Sequence, residues 1–222
     1  MRSAVIVFPG SNCDRDAAIA LESQTGSRPE MVWHGESTLP SKLDLIIIPG
    51  GFSYGDYLRA GAMAGHSPIM RDIVKASEKG IAILGICNGF QILTETGLLP
   101  GTLLRNSQLN FICRSVGVTV KTKDSIFTSG YCLNSSLKIP IAHHDGNYYA
   151  DDRTLDSLEG EDRIAFSYSG HNPNGSRRAI AGILSRKRNV LGMMPHPERA
   201  VDVKTGSTDG ALLFKTLVKN LT

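Results

Sequence analysis

The chain has 222 residues, 41% of them hydrophobic and 20% charged, with a formal net charge of +3. This is ordinary globular usage with enough apolar surface for a sizeable core and gives no indication of disorder, while length alone leaves one large or two small domains open. The densest basic cluster, "SRKRN" at 185–189, is short enough for a solvated turn, and no apolar run approaches a membrane span, so neither nucleic acid nor a membrane is expected as a partner.

Short apolar runs alternate with amphipathic segments in the way expected of an α/β protein with a mostly parallel sheet. "AVIVF" (4–8) reads as a buried strand. Its Pro9-Gly10 end leads through Ser11 and Asn12, both good capping residues, into a helix that closes at Gly26. "EMVWH" (30–34) is the next strand, and "LDLIIIPGG" (43–51) is a near-continuous apolar strand of the kind covered on both faces. Ser67-Pro68 starts a helix that ends at Gly80, and "IAILGI" is the strand before Cys87. The second half is less regular. "RSVGVTVKT" alternates as a strand, "LKIPIAHHDGNYYAD" mixes strand and loop, and "RRAIAGILSRKRNVLGMMPHPE" reads as a hairpin whose second strand ends in prolines. "DGALLFKTLVKNL" is an amphipathic closing helix. With no internal repeat or low-complexity linker, one domain over 1–222 is expected.

The chemistry begins at "GICNG" (85–89), where a strand turns into a helix through Gly-x-Cys-x-Gly. That is the elbow geometry of a catalytic nucleophile, with the glycines allowing a strained turn above the carboxyl end of the sheet. A small buried cysteine in a glycine-rich turn would look the same, so the elbow needs a base. Of six histidines, His196 has the most telling setting: prolines flank it in "PHPE", and in extended chain Glu198 projects to the same side. Base plus orienting carboxylate is triad logic, although a rigid proline turn with exposed charges fits "PHPE" equally well. Gly50-Gly51 after the "LIIIP" strand supplies backbone N–H groups that, with the Asn88 amide, could form an oxyanion hole. Cys13, Cys87, Cys113 and Cys132 lie far apart with no CxxC pair, so they are expected to be thiols, with no metal site and no disulfide framework.

Taken in order, "PGG", "GICNGFQIL" and "PHPER" resemble the class I glutamine amidotransferase family. "GGFSYGDYLRAGA", "PIAHHDGNYYAD", "NPNGS" and "GMMPHPERA" are similar to segments of its purine-biosynthetic glutaminases, and Phe90 stands where other members of the class often carry His or Met. The resemblance implies a flavodoxin-like domain with helices on both faces of the sheet. Cys87 would attack the side-chain amide of glutamine, releasing ammonia and leaving a γ-glutamyl thioester for water to hydrolyse. His196 would shuttle protons, Glu198 would orient it, Gly51 and Asn88 would donate to the oxyanion, and Gln91 would help hold the glutamine, with Leu109, Asn110 and Phe111 lining the same pocket. His144 and Asp145 depart from the "HGEG" expected there, in a loop placed near the partner.

The implied partners are a large ATP-dependent synthetase subunit, which turns formylglycinamide ribonucleotide into its amidine, and a small third subunit. This chain has no G-x-x-x-x-G-K-[ST] loop, so ATP and magnesium are expected on the synthetase, no cofactor here, and a cytoplasmic location. Competing readings are the glutaminase of another amidotransferase, serving GMP, CTP or carbamoyl phosphate synthesis, which Phe90 and "NPNGS" disfavour, and a free-standing cysteine hydrolase of γ-glutamyl substrates. A non-enzymatic flavodoxin-like scaffold is the third, and predicts a Cys87 no more alkylatable than Cys13.

Overall fold

In the computed structural model, which describes residues 1–222, the apolar runs of the first half become four neighbouring parallel strands. These are β1 (Ser3–Val7), β2 (Glu30–Trp33), β3 (Leu45–Ile48) and β4 (Ala82–Ile86). A fifth, β11 (Val190–Met193), joins them to give the parallel order β2-β1-β3-β4-β11. Every residue of β3, β4 and β11 is buried, which is why these segments read as unbroken apolar runs instead of alternating ones. The crossovers run through α1 (Asp14–Thr25), α2 (Ala62–Gly65), α3 (Pro68–Glu78) and α4 (Asn88–Glu95). The closing helix α6 (Ala211–Leu221) packs against α1, and α4 lies on β3, β4 and β11 with α2 beside it.

Beyond β11 the sheet continues antiparallel through β10 (Ile180–Leu184), β9 (Ile164–Tyr168), β6 (Ile112–Val120) and β7 (Ser136–His143). A small separate ladder pairs β5 (Thr102–Leu104) with β8 (Asn147–Tyr149). The sequence reading finds the β10–β11 hairpin, β6 and β7 but misses β5, β9 and the helix α5 (Asp152–Gly160). Only Leu155 and Leu158 of α5 are buried, too thin an apolar stripe to register, although Asp151 marks the start by accepting the Thr154 N–H at 2.7 Å.

Two boundaries also move. The 43–51 run is a strand only over Leu45–Ile48, because Pro49 leaves the ladder and Gly50-Gly51 turn away. Ser11 and Asn12, expected as caps, give α1 no capping bond. Cys13 holds that position, while the Ser11 hydroxyl donates to the Gly50 carbonyl at 3.3 Å and Asn12 Oδ1 accepts from the Cys13 thiol at 3.3 Å. The start of α1 is thereby committed to the turn after β3. Since β1, β3, β4 and β11 are side by side and parallel, their carboxyl ends bring Cys13, Gly51, Cys87 and His196 to one edge.

The elbow depends on close packing. A Cβ on Gly89 would lie 1.9 Å from the Ile48 carbonyl oxygen, a backbone atom that cannot step aside. Gly89→Ala is therefore expected to destabilise the fold by about 3 kcal/mol. Gly160→Ala, whose Cβ would meet nothing within 4 Å, should stay within about 0.5 kcal/mol. Chemical denaturation of the two variants checks this, and equal effects would contradict the packing argument.

Candidate active site

The strain expected at the "GICNG" turn sits on the cysteine itself. Cys87 has φ 50° and ψ −105°, a conformation that side chains avoid, whereas Gly85 and Gly89 have no left-handed φ. The glycines instead let strand and helix approach: a Cβ on Gly85 would fall 2.4 Å from Leu93 and 2.8 Å from the Gly89 carbonyl. The Cys87 N–H donates to the Met193 carbonyl at 2.8 Å, fixing the elbow to the end of β11. Its thiol lies 3.7 Å from the Ala142 carbonyl oxygen, its acceptor on β7.

The same end of β11 delivers His196, whose N–H donates to Pro140 at 2.8 Å. Its Nδ1 and Glu198 Oε1 are 2.6 Å apart, with both side chains essentially inaccessible. The carboxylate accepts, which fixes the proton on Nδ1 and leaves Nε2 without a protein partner. The pair forms differently from the expected extended geometry: Pro197 starts a 3-10 turn over Pro197–Arg199, which curls the Glu198 carboxylate back onto the ring. Burial opposes a charge on His196, but Glu198 first, and the Cys87 and Cys13 thiols beside the ring, hold its pKa well above the ordinary histidine value. Two carbonyl-turn glycines complete this edge. Gly50 brings the groups together, since a Cβ there would be 2.8 Å from His196 Cε1 and 3.4 Å from Cys87 Cβ. Gly51 has φ +133° and its Cβ would strike the Asn12 amide at 2.7 Å, so the turn accepts only glycine. The N–H groups of Gly51 and Asn88 have no acceptor within the protein.

A cysteine on a strained elbow, a carboxylate-held histidine and two free amides suit attack on a carbonyl with a developing oxyanion. The chain matches the model of the CobB/CobQ-like glutamine amidotransferase domain over residues 1–210. The chain belongs to this glutamine amidotransferase family. Among its relatives, the phosphoribosylformylglycinamidine synthase subunit PurQ of Ruegeria pomeroyi is 60% identical over 222 residues, covering 100% of this chain and 99% of that protein. The PurQ subunit of Novosphingobium aromaticivorans is 57% identical over 219 residues, covering 99% and 97%. A chain of the PurLQS structure from Thermotoga maritima superposes with a TM-score of 0.89 at 44% identity, covering 100% of this chain and 99% of that one.

Within this amidotransferase the remaining expected residues fall into two groups. Gln91 is buried and engaged at both ends: its Oε1 accepts from Asn88 Nδ2 at 2.8 Å and its Nε2 donates to the Asp145 carbonyl at 2.6 Å. Asn88 in turn accepts the Ser53 N–H at 3.2 Å and donates to Asp56 at 3.4 Å, so one amide side chain joins the elbow to the turn after Gly51. Leu109, Asn110 and Phe111 form an exposed loop, and the Phe111 ring lies 6.3 Å from that of Phe52 beside Gly51.

Four residues in or around the site escape sequence reasoning. Asn106, fully buried, donates to the carbonyls of Asn110 and His143 at 2.8 and 2.9 Å and accepts from the Gly146 amide at 3.0 Å, tying the 106–111 loop to the end of β7. The "AHHDG" loop, expected near a partner, is thus also part of the site floor through Ala142 and the Asp145 carbonyl. His143 stays neutral, because burial and then neighbouring His196 lower its pKa to about 3. Burial and the Asp145 carboxylate push Asp56 up to about 6, against the bond from Asn88. Cys13 is the fourth. Its sulfur accepts from Arg199 Nη2 at 3.1 Å, and a Cβ on Gly50 would be 3.2 Å from it, so this thiol shares the site with Cys87 and is no remote reference thiol. Its paired "GSNCD" setting carries no local signal for that, because the contact is made across 186 residues of chain.

Proposed function

We propose that the chain is the glutaminase subunit of phosphoribosylformylglycinamidine synthase, hydrolysing glutamine and handing ammonia to the synthetase that makes formylglycinamidine ribonucleotide in purine biosynthesis. The observation that carries the reading is the strained Cys87 elbow beside the Glu198-held His196, in a chain 60% identical over its whole length to a PurQ subunit. His196 takes the Cys87 thiol proton as the sulfur attacks the δ-carbonyl carbon of glutamine, and the Gly51 and Asn88 amides receive the oxyanion. His196 protonates the departing nitrogen, which leaves as ammonia, and Cys87 keeps the γ-glutamyl group as a thioester. Water, deprotonated by His196, then displaces the thiol and releases glutamate. Gln91 and the loop of Leu109, Asn110 and Phe111 flank the glutamine.

Ammonia released into water is protonated and no longer nucleophilic, so turnover is useful only when coupled to the acceptor reaction. The partners are a large synthetase subunit carrying ATP and magnesium and a small third subunit, in the cytoplasm. Docking completes the oxyanion hole by ordering the 51–57 turn, where Tyr54 and Asp56 hold left-handed φ values of 55° and 52° and Tyr57 is 88% exposed. Losing one oxyanion donor costs a factor of about 10² to 10³, so the isolated chain should hydrolyse glutamine at least about 10²-fold more slowly than the complex. Steady-state hydrolysis by the chain alone, then with synthetase, nucleotide and formylglycinamide ribonucleotide added, tests this. Equal rates would favour a free-standing γ-glutamyl hydrolase.

A further inference from the structure

Cys13 plays no part in the reaction as described, yet it is buried beside the catalytic histidine. One donor atom each from Cys13, His196 and Glu198 lie within 4.8 Å of one another, and all three residues are buried. His196 Nδ1 and Glu198 Oε1 already hold each other at 2.6 Å, and Glu198 Oε2 is buried with no hydrogen-bond partner, so the carboxylate keeps an oxygen to spare. We propose that Cys13, His196 and Glu198 form an inhibitory site for a thiophilic divalent cation, of which zinc is the type.

The donor chemistry fits such an ion. A thiolate, an imidazole and a carboxylate with one open position make a three-ligand zinc set, and the soft sulfur selects against magnesium and calcium. Zinc holds sulfur at about 2.3 Å and nitrogen or oxygen at about 2.0–2.2 Å, so the three donors need to close in by only about 1 Å. A supporting outer layer is already built. Arg199 Nη2 donates to the Cys13 sulfur at 3.1 Å and its Nε donates to Asp16 at 3.0 Å, which leaves the cation offset by a carboxylate and aimed at a sulfur that is better ligated as a thiolate. The missing Cβ of Gly50 leaves room between Cys13, His196 and Cys87. An ion seated on the Glu198 side of the ring displaces the thiol proton of Cys13 and the Nδ1 proton held by Glu198 Oε1, and the imidazole is then no longer available as the base that Cys87 needs. The ion therefore stops glutamine hydrolysis without touching the acceptor reaction. The separation of the cysteines in the sequence, which argues against a resident structural zinc, does not bear on this site, because the strands β1 and β11 bring its ligands together.

The inhibition rests on the glutaminase reading, whereas binding can be measured without turnover. Zinc alone is titrated into the reduced full chain carrying Cys113→Ser and Cys132→Ser, to remove the exposed thiols, in competition with a chromophoric chelator. One ion per chain is expected, with cobalt giving the absorption of a thiolate complex. Cys13→Ser, which keeps the shape but removes the soft ligand, should weaken zinc by at least about tenfold, abolish the thiolate absorption, and shift inhibition of hydrolysis by the same factor relative to that variant's own zinc-free rate. Cys13→Ala should do the same. Unchanged affinity in both variants, or binding that disappears with the exposed thiols alone, would overturn the proposal. Binding lost with Cys13 in a chain that shows no glutaminase activity would uphold the site and sink only the reading of its function.

Discussion

Replacing Cys87 by alanine is expected to abolish glutamine-dependent amidation by the assembled synthase while leaving ammonia-dependent amidation intact. The loss should reach at least about 10⁴-fold, since removing the nucleophile leaves only what binding and oxyanion donors provide. The selectivity follows from where the residue sits. Cys87 follows β4 at the carboxyl edge of this chain's sheet, and it bonds to the Met193 and Ala142 carbonyls and to the start of α4, with the His196 ring beside its thiol. Alanine fits the same space, so the elbow, Gly51 and the docking surface survive. Parallel assays with glutamine and with ammonium salt as nitrogen source check it. Loss of both activities would assign Cys87 to the fold or the assembly and not to glutamine chemistry.

Glu198→Gln is expected to lower glutamine hydrolysis by about 10² to 10⁴-fold with little change in KM, because the carboxylate touches His196 and not the substrate. Its sign with pH is also fixed. Glu198 is the foremost group that holds the His196 proton against burial. Removing its charge lets burial dominate, the imidazolium is lost at a lower pH, and the proton needed by departing ammonia is no longer supplied on the alkaline side. The alkaline limb of kcat should therefore move to lower pH in the variant. A limb that stays where it is, on a uniformly lower profile, would mean that Glu198 serves packing alone. Glutamine at this position can turn its amide oxygen toward Nδ1, so the variant is expected to fold.

How much of this was readable without coordinates depended on the range of each signal. The elbow, the Pro197 turn and the glycine pair are local: a few adjacent residues set the backbone, and so "GICNG", "PHPE" and "PGG" show their turns in the sequence, although only together do they point to the chemistry. The parallel half of the sheet was legible for the same reason, since β3 and β4 are covered on both faces and show it as unbroken apolar runs. The antiparallel half was harder. Its strand β9 precedes a short 3-10 turn and a loop of asparagines, and α5 buries too few side chains to betray its period. Asn106 reads as a loop residue in "RNSQLN" although it is fully buried, because its role is set by His143, 37 positions away. Cys13 gives no sign of its place for the same kind of reason: its neighbours Arg199 and His196 reach it only once the sheet sets β1 and β11 on either side of β3 and β4. Residues that act through distant partners leave no mark on the sequence around them.

The central claim is that Cys87, and no other thiol in the site, carries the γ-glutamyl group. The direct measurement is rapid acid quench of the chain with glutamine, in the presence of its synthetase, followed by intact and peptide mass spectrometry. The account predicts a transient gain of one glutamyl residue on the peptide containing Cys87, absent in Cys87→Ala and unchanged in Cys13→Ser. An adduct on Cys13, or turnover of glutamine with no adduct on either cysteine under conditions that stabilise a thioester, would contradict it.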